Sequence, residues 1–238
     1  MKILAVDSSS ITASVAVVDD DKIVSEFFMN AGLTHSQTLA PMIDAVLKNS
    51  KTEPKDIDMY AVTVGPGSFT GLRIGAATVK AMAFANDKPC VGVSSLEALA
   101  YNSHSESGLI CACMDARCDQ VYTALFESKN SIISRVTEDG AELITDLTEK
   151  LKKTDKSVEF VGDGALACYN RIMETDSSEK YSLLPEHNRY IKAYSIARLA
   201  LKRYEAGEFC TSEDLVLNYL RIPQAERQLN ERLSKSER

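Results

Sequence analysis

Apolar residues in this chain gather in short β-branched runs separated by small polar clusters. The runs at 3–6, 12–18 and 22–29 are parted by Asp7-Ser8-Ser9-Ser10 and Asp19-Asp20-Asp21, and this alternation predicts a three-stranded meander. Behind it Leu39, Met42, Ile43, Val46 and Leu47 recur at helical spacing, while Thr34 with Gln37 three residues on reads as a capping box. A helix is therefore expected over 35–49. A fourth strand over 59–64 enters Gly65-Pro66-Gly67-Ser68-Phe69-Thr70-Gly71, and an alanine-rich helix follows over 70–85. Pro66 and Gly67 suit the centre of a type II turn, and Ser68 or Thr70 can cap the helix. A strand over 88–93 and a short helix over 96–101 close this half.

After the polar, small-residue stretch 102–108 the pattern begins again. Runs at 109–115, 121–126 and 132–136 repeat the meander, a weak helix follows over 148–152, and Val158-Glu159-Phe160-Val161-Gly162-Asp163-Gly164 copies the strand and Gly-x-Gly of 62–67. A helix over 166–173 stands where the first half has its glycine-launched helix. The pattern predicts a duplicated α/β architecture of two lobes, 1–104 and 105–238, with a cleft between them. A strand near 181–184, a helix over 195–206 ended by Gly207 and a last strand over 216–220 follow, and the last helix and strand are free to pack back on the first lobe. From Gln224 the tail is charged and expected to be solvated.

Composition narrows the functional classes. With 238 residues and 45% hydrophobic content the chain can bury real cores, and no apolar run approaches the roughly 18 residues of a membrane span. Met1-Lys2-Ile3-Leu4-Ala5-Val6 is too short for a signal peptide, so a cytoplasmic protein without membrane contact is expected. The six cysteines include no C-x-x-C pair and are expected to be reduced, with Cys111 and Cys113 as buried small hydrophobes. A net charge of −7 without a basic stripe argues against autonomous nucleic-acid binding.

The chemistry lies around the glycines. Backbone N–H groups at the start of the 70–85 helix could receive an anion, with Asp7, Gly65, Gly67, Ser68 and Thr70 as candidate contacts for a nucleotide or anion. The alternative is that the glycines simply allow a helix to lie close on its own sheet. Neither phosphate motif matches. Gly71 is followed by Leu72-Arg73 where a P-loop needs Lys-Ser/Thr, and Thr70 stands where the dinucleotide fingerprint needs glycine. Asp7 and Asp115 end equivalent strands but lack the following glycine turn, and His35, His104 and His187 are too far apart in sequence to make a helix-face metal pair. No catalytic residue and no metal ligand is assigned.

Asp7-Ser8-Ser9, the stretch from Gly65 to Gly75, Val93-Ser94-Ser95-Leu96-Glu97-Ala98-Leu99-Ala100, Met114-Asp115-Ala116-Arg117 and Tyr219-Leu220-Arg221 together resemble the bacterial TsaB family, also called YeaZ. Gly-Pro-Gly-Ser-Phe-Thr-Gly-Leu-Arg-Ile-Gly is that family's signature. The resemblance implies an actin and Hsp70-type ATPase (ribonuclease H-like) fold. It implies a non-catalytic partner of TsaD, which acts with the ATPase TsaE to form N6-threonylcarbamoyladenosine at position 37 of ANN-decoding tRNAs. It further implies a homodimer through the same face when TsaD is absent, indirect contact with tRNA, and no cofactor of its own, with ATP or ADP bound only in the assembled complex. An autonomous ATPase or small-molecule kinase of the same fold is the alternative.

The 70–85 helix is apolar nearly all round, so it needs cover on both sides. One side is expected on its sheet and the other on a partner, giving Leu39, Met42, Ile43, Val46, Leu72, Arg73, Gly75, Ala76, Val79 and Met82 as interface candidates; complete burial within the monomer is the competing reading.

Overall fold

A computed structural model describes residues 1–221. Strands β1 (Lys2–Asp7), β2 (Ala13–Asp19) and β3 (Lys22–Met29) form the antiparallel meander. Helix α1 (His35–Ser50) then leads to β4 (Met59–Gly65), which lies parallel to β1, and α2 (Phe69–Asn86) leads to β5 (Cys90–Ser94). The sheet order is β3-β2-β1-β4-β5. Beyond α3 (Ser95–Ala100) the second copy runs β6 (Ser107–Asp115), β7 (Gln120–Lys129), β8 (Ile132–Arg135), β9 (Gly140–Leu143), α4 (Ile144–Lys152), β10 (Val158–Val161), α5 (Ala165–Met173) and β11 (Tyr181–Leu183). Its order, β11-β10-β6-β7-β8, repeats the first sheet, with the short β9 added beside β7.

Both central strands are continuous apolar runs because each is covered on two faces. Leu4 and Val6 of β1 face an outer layer made by α1 and α2, while Ile3 and Ala5 face an inner layer. That inner layer is where the lobes interlock. α3, which follows the first sheet, packs on β6 and β7, whereas α6 (Ala193–Glu205), which follows the second, packs on β1 and β2. Leu96, Leu99, Ile196, Ala197 and Ala200 therefore share one core with Val93 and Phe126. A third core of Leu147, Leu151, Phe160, Cys168 and Ile172 lies outside the second sheet, and Cys111 and Cys113 are buried there as free thiols.

Three local expectations change. Thr34 is the N-cap of α1 but makes no side-chain cap; Gln37 donates its backbone N–H to the Thr34 carbonyl instead. The Gly65–Pro66 peptide is cis, and the loop folds onto Ser9 rather than closing a type II turn. Residues 216–220 form no strand. The pairing in this region is a bridge between Cys90 and Cys210, after which Leu215 enters the α1–α2 core. The charged tail from Gln224 lies outside the described residues.

Candidate functional site

The β1–β2 turn and the start of α2 form one wall of a cleft of about 450 Å3 between the lobes; the β6–β7 turn and Asp163 form the other. Strand ends place these groups together, since β1 and β4 run parallel and both release their chains at this edge. Asp7, the last residue of β1, is completely buried. Its Oδ1 accepts from Ser9 N at 3.1 Å, Ser9 Oγ at 2.7 Å and Thr63 Oγ1 at 2.7 Å. Its Oδ2 has no hydrogen-bond partner among the described residues. Burial raises the Asp7 pKa, opposed by the Thr63 and Ser9 hydrogen bonds. The bonds to Oδ1 are those of an aspartate closing its own turn.

The glycine loop serves the same packing. A Cβ on Gly67 would stand 2.4 Å from the Ser9 carbonyl oxygen, one on Gly71 1.9 Å from that of Ser8, and one on Gly75 2.6 Å from Ser8 Oγ. Gly71 and Gly75, one turn apart, thus clear one face of α2 for the β1–β2 turn, and Gly67 does the same in the loop before it. Ser68 N donates to Ser9 O at 2.7 Å, Ser8 Oγ to Gly71 O at 2.9 Å, and the Ser68 side chain caps Gly71 N. Gly65 is held differently, with the Asn218 carbonyl 2.3 Å from where its Cβ would be. Ser68 and Thr70 remain exposed at the cleft. His35 Nε2 meets the Ser10 carbonyl at 2.8 Å, fixing α1 to the same turn.

On the far wall Asp163 accepts from Asp115 N at 3.0 Å, and Arg221 reaches across to the Ala116 carbonyl. Arg117 and Tyr122 complete this side. Burial pushes the Asp163 carboxyl up to about 6; hydrogen bonds from Asp115 N and Gly164 N oppose the rise, and the charges of Asp115 and Asp7 add to it. The folded state therefore favours the protonated acid. Its contribution to stability is complete below the unfolded value near 4 and is lost as pH rises through about 6. Asp163→Asn keeps an acceptor for Asp115 N without this loss. Between pH 4 and pH 8 its stability relative to the parent should improve by on the order of 1–2 kcal/mol, the side chain being only part-buried by surface area. Thermal melts at the two pH values test this, and an equal difference at both would overturn it. Asp163 was missed as a site residue, although the Gly-x-Gly repeat points to it by aligning 162–164 with the first loop.

The interface candidates divide sharply. Leu39, Met42, Ile43 and Val46 lie at no more than 5% exposure between α1 and the sheet, and Leu72, Gly75, Ala76 and Val79 are likewise buried. These eight are core, because the apolar stripe of each helix is what fastens it to β1, β2 and β4. Arg73 is exposed and Met82 half-buried. The outward face of α2 is instead Arg73, Ala77, Ala81, Phe84 and Ala85, with Phe84 72% exposed. At its start Phe69 stacks on Tyr219 at 5.0 Å, and Arg73 Nε donates to the Tyr219 hydroxyl at 3.1 Å.

The family model described as TsaD, tRNA N6-adenosine threonylcarbamoyltransferase, matches residues 29–225. The tRNA threonylcarbamoyladenosine biosynthesis protein TsaB of Bacillus subtilis (strain 168) is 34% identical over 227 residues, covering 95% of this chain and 96% of that protein. The TsaB of Escherichia coli (strain K12) is 32% identical over 167 residues, 69% of this chain and 72% of that protein. The structure of YeaZ from Pseudomonas aeruginosa superposes with a TM-score of 0.76 at 23% identity, covering 92% of this chain and 99% of that one. Likeness also extends to the (R)-2-hydroxyglutaryl-CoA dehydratase component A of Acidaminococcus fermentans, at a TM-score of 0.50, 14% identity and 86% and 99% coverage. The fold is the duplicated two-lobed α/β fold of the actin and Hsp70-type ATPases. With a curated relative aligned along nearly the whole of both chains, this chain belongs to the TsaB (YeaZ) family.

Proposed function

We propose that this chain is the non-catalytic partner of a TsaD-type transferase in forming N6-threonylcarbamoyladenosine at position 37 of tRNA, working in the cytoplasm beside TsaE and touching tRNA only indirectly. The observation that carries the reading is the near-full-length relation to a B. subtilis protein named for threonylcarbamoyladenosine biosynthesis. The closed glycine loop supports a non-catalytic role: its tight approaches are filled by Ser8 and Ser9 of the same chain. His35 is engaged by a backbone carbonyl, and His104 and His187 lie on other segments. The outward face of α2 supports a partner surface, since small residues allow close helix approach and Arg73, Phe84 and Tyr219 offer anchors. In the absence of TsaD the same face joins two copies.

The test is to supply this chain to bacteria depleted of their own TsaB, with its cognate TsaD, and to measure the modified nucleoside in digested tRNA by mass spectrometry. Restored modification is expected; unmodified tRNA despite folded protein would overturn the reading. The unpartnered Asp7 Oδ2 beside a cleft favours one secondary reading, in which ATP or ADP touches this chain only within the complex. Titration of the isolated chain with Mg-ATP is then expected to give no turnover. Tight binding with turnover that disappears in Asp7→Ala would support the autonomous ATPase instead.

A further inference from the structure

A groove of about 630 Å3 lies at the C-terminal end of α2, on residues that take no part in the interlobe cleft. Ala83 and Phe84 of the helix, Pro89 before β5 and Phe209 of the loop after α6 give it an apolar floor. Two of these rings stand out from the surface, Phe84 at 72% exposure and Phe209 at 52%. Asp87, Glu213 and Asp214 border the floor against one cation, Lys88. Among the described residues none of the three carboxylates meets a Lys or Arg in an ion pair. Lys80 does not neutralise them, because its ammonium is directed at the Glu213 and Leu215 backbone carbonyls.

Hydrogen bonds hold the walls in place. Cys90 and Cys210 exchange backbone N–H···O bonds at 2.8 and 2.9 Å, which joins the loop after α6 to β5. Lys88 N donates to Ala83 O at 3.0 Å, and Asp214 N to Thr211 Oγ1 at 3.3 Å. The Phe209 ring packs on Tyr204 with centroids 4.9 Å apart. An occupant therefore meets a preformed surface, and little ordering entropy opposes its binding. Aliphatic side chains suit the floor, a Lys or Arg beside them suits the uncompensated rim, and an acidic segment is repelled. Phe84 also belongs to the outward face of α2, about 16 Å along the helix from Arg73. The groove thus continues that face past the end of the helix.

We propose that the protein docking on the outward face of α2 extends beyond the helix end and inserts into this groove a segment with aliphatic side chains and a surplus of Lys and Arg. Its aliphatic groups lie between Phe84 and Phe209, and its cations face Asp87, Glu213 and Asp214. The inference rests on the reading of α2 as the partner face and adds to it a charge requirement on the partner. The alanines of the helix face are indifferent to a partner's charge, so the groove is where partners of unlike charge are told apart.

Calorimetric titration with the cognate TsaD tests the charge requirement, using the full chain and its Glu213→Lys variant. Glu213 is exposed and holds Lys80 only through its backbone carbonyl, so the reversal leaves the fold intact, which thermal melting checks. Glu213→Lys should weaken binding about tenfold at 0.1 M salt. At 1 M salt the loss should shrink to less than about threefold, because the screening length falls from about 10 Å to about 3 Å. Parent-like affinity at 0.1 M salt, or a loss that salt leaves unchanged, would overturn the proposal. Photocrosslinking is independent of how that variant folds. Phe209→p-benzoylphenylalanine protein, irradiated with TsaD, digested and sequenced by mass spectrometry, should join a TsaD segment whose Lys and Arg outnumber its Asp and Glu. Crosslinks only to other TsaD segments, only to this chain, or none at all contradict it. Ala81→Glu keeps the two readings apart. If that variant abolishes TsaD binding while charge reversal and crosslinking are both negative, α2 stands as the partner face and the groove inference alone fails. If the parent chain does not bind TsaD, both fail together.

Discussion

Gly71→Ala should lower the melting temperature by roughly 5–10 °C, a loss of about 2–3 kcal/mol for a domain of this size. The added Cβ would lie 1.9 Å from the Ser8 carbonyl oxygen, a backbone atom that cannot swing aside. Nor can the β1–β2 turn retreat easily. Ser8 Oγ is bonded to Gly71 O, Ser9 O to Ser68 N, and the buried Asp7 ties Ser9 to Thr63. Ordinary overpacking costs about 1–3 kcal/mol; a Cβ this close to a fixed backbone oxygen lies above that range, at about 3–4 kcal/mol, of which the helix propensity of alanine returns up to about 1 kcal/mol. Gly32→Ala is the control. Gly32 has φ +68° with nothing within 4 Å of a new Cβ, so only the left-handed backbone cost of about 1–2 kcal/mol applies. Its melting temperature should fall less than that of Gly71→Ala. If Gly71→Ala melts with the parent protein, the glycine spacing is not there for close packing.

The same residues explain what the sequence could and could not reveal. Continuous apolar runs ending in Asp7 and Asp115 recur with nearly constant spacing, and a repeat of that kind survives errors at single boundaries. Both sheets follow from it. The crossing of α3 and α6 between lobes does not, because their packing joins segments far apart in the chain and leaves no local periodicity. Nor does the strap at 210–221. Residues 216–220 read as a last strand until Lys80 is seen to hold the Leu215 carbonyl and Val64 the Asn218 N–H. Asp7 at a strand end and Ser68 at a helix cap have local signatures in the sequence, and Ser68 and Thr70 line the cleft. Asp163 and Arg221 reach the cleft only through tertiary packing. The faces of α2 were misread for a different reason. Ala76 and Ala77 are chemically identical, yet one is buried and the other exposed, and a helix without a polar stripe gives the sequence no means to tell them apart.

That distinction determines how the partner surface must be tested. Ala81→Glu puts a carboxylate on the exposed face of α2, where solvent receives it, so the isolated chain should melt within about 2 °C of the parent. In a helix-to-helix interface the same carboxylate is desolvated and unpaired. A cost of about 2.7 kcal/mol weakens association with TsaD, or between two copies, by about 100-fold. Val79→Asp offers a sharp contrast. Val79 is fully buried among Leu39, Val46 and Val62, so an uncompensated acid there costs about 3–5 kcal/mol and depletes folded protein before any partner is met. Thermal melting paired with calorimetric titration against TsaD separates the two kinds of loss. Ala81→Glu should keep its fold and lose its partner, while Val79→Asp should lose both together. Parent-like affinity in a well-folded Ala81→Glu variant would remove α2 as the docking face, because a glutamate at the middle of a packed helical interface cannot reach water without separating the helices.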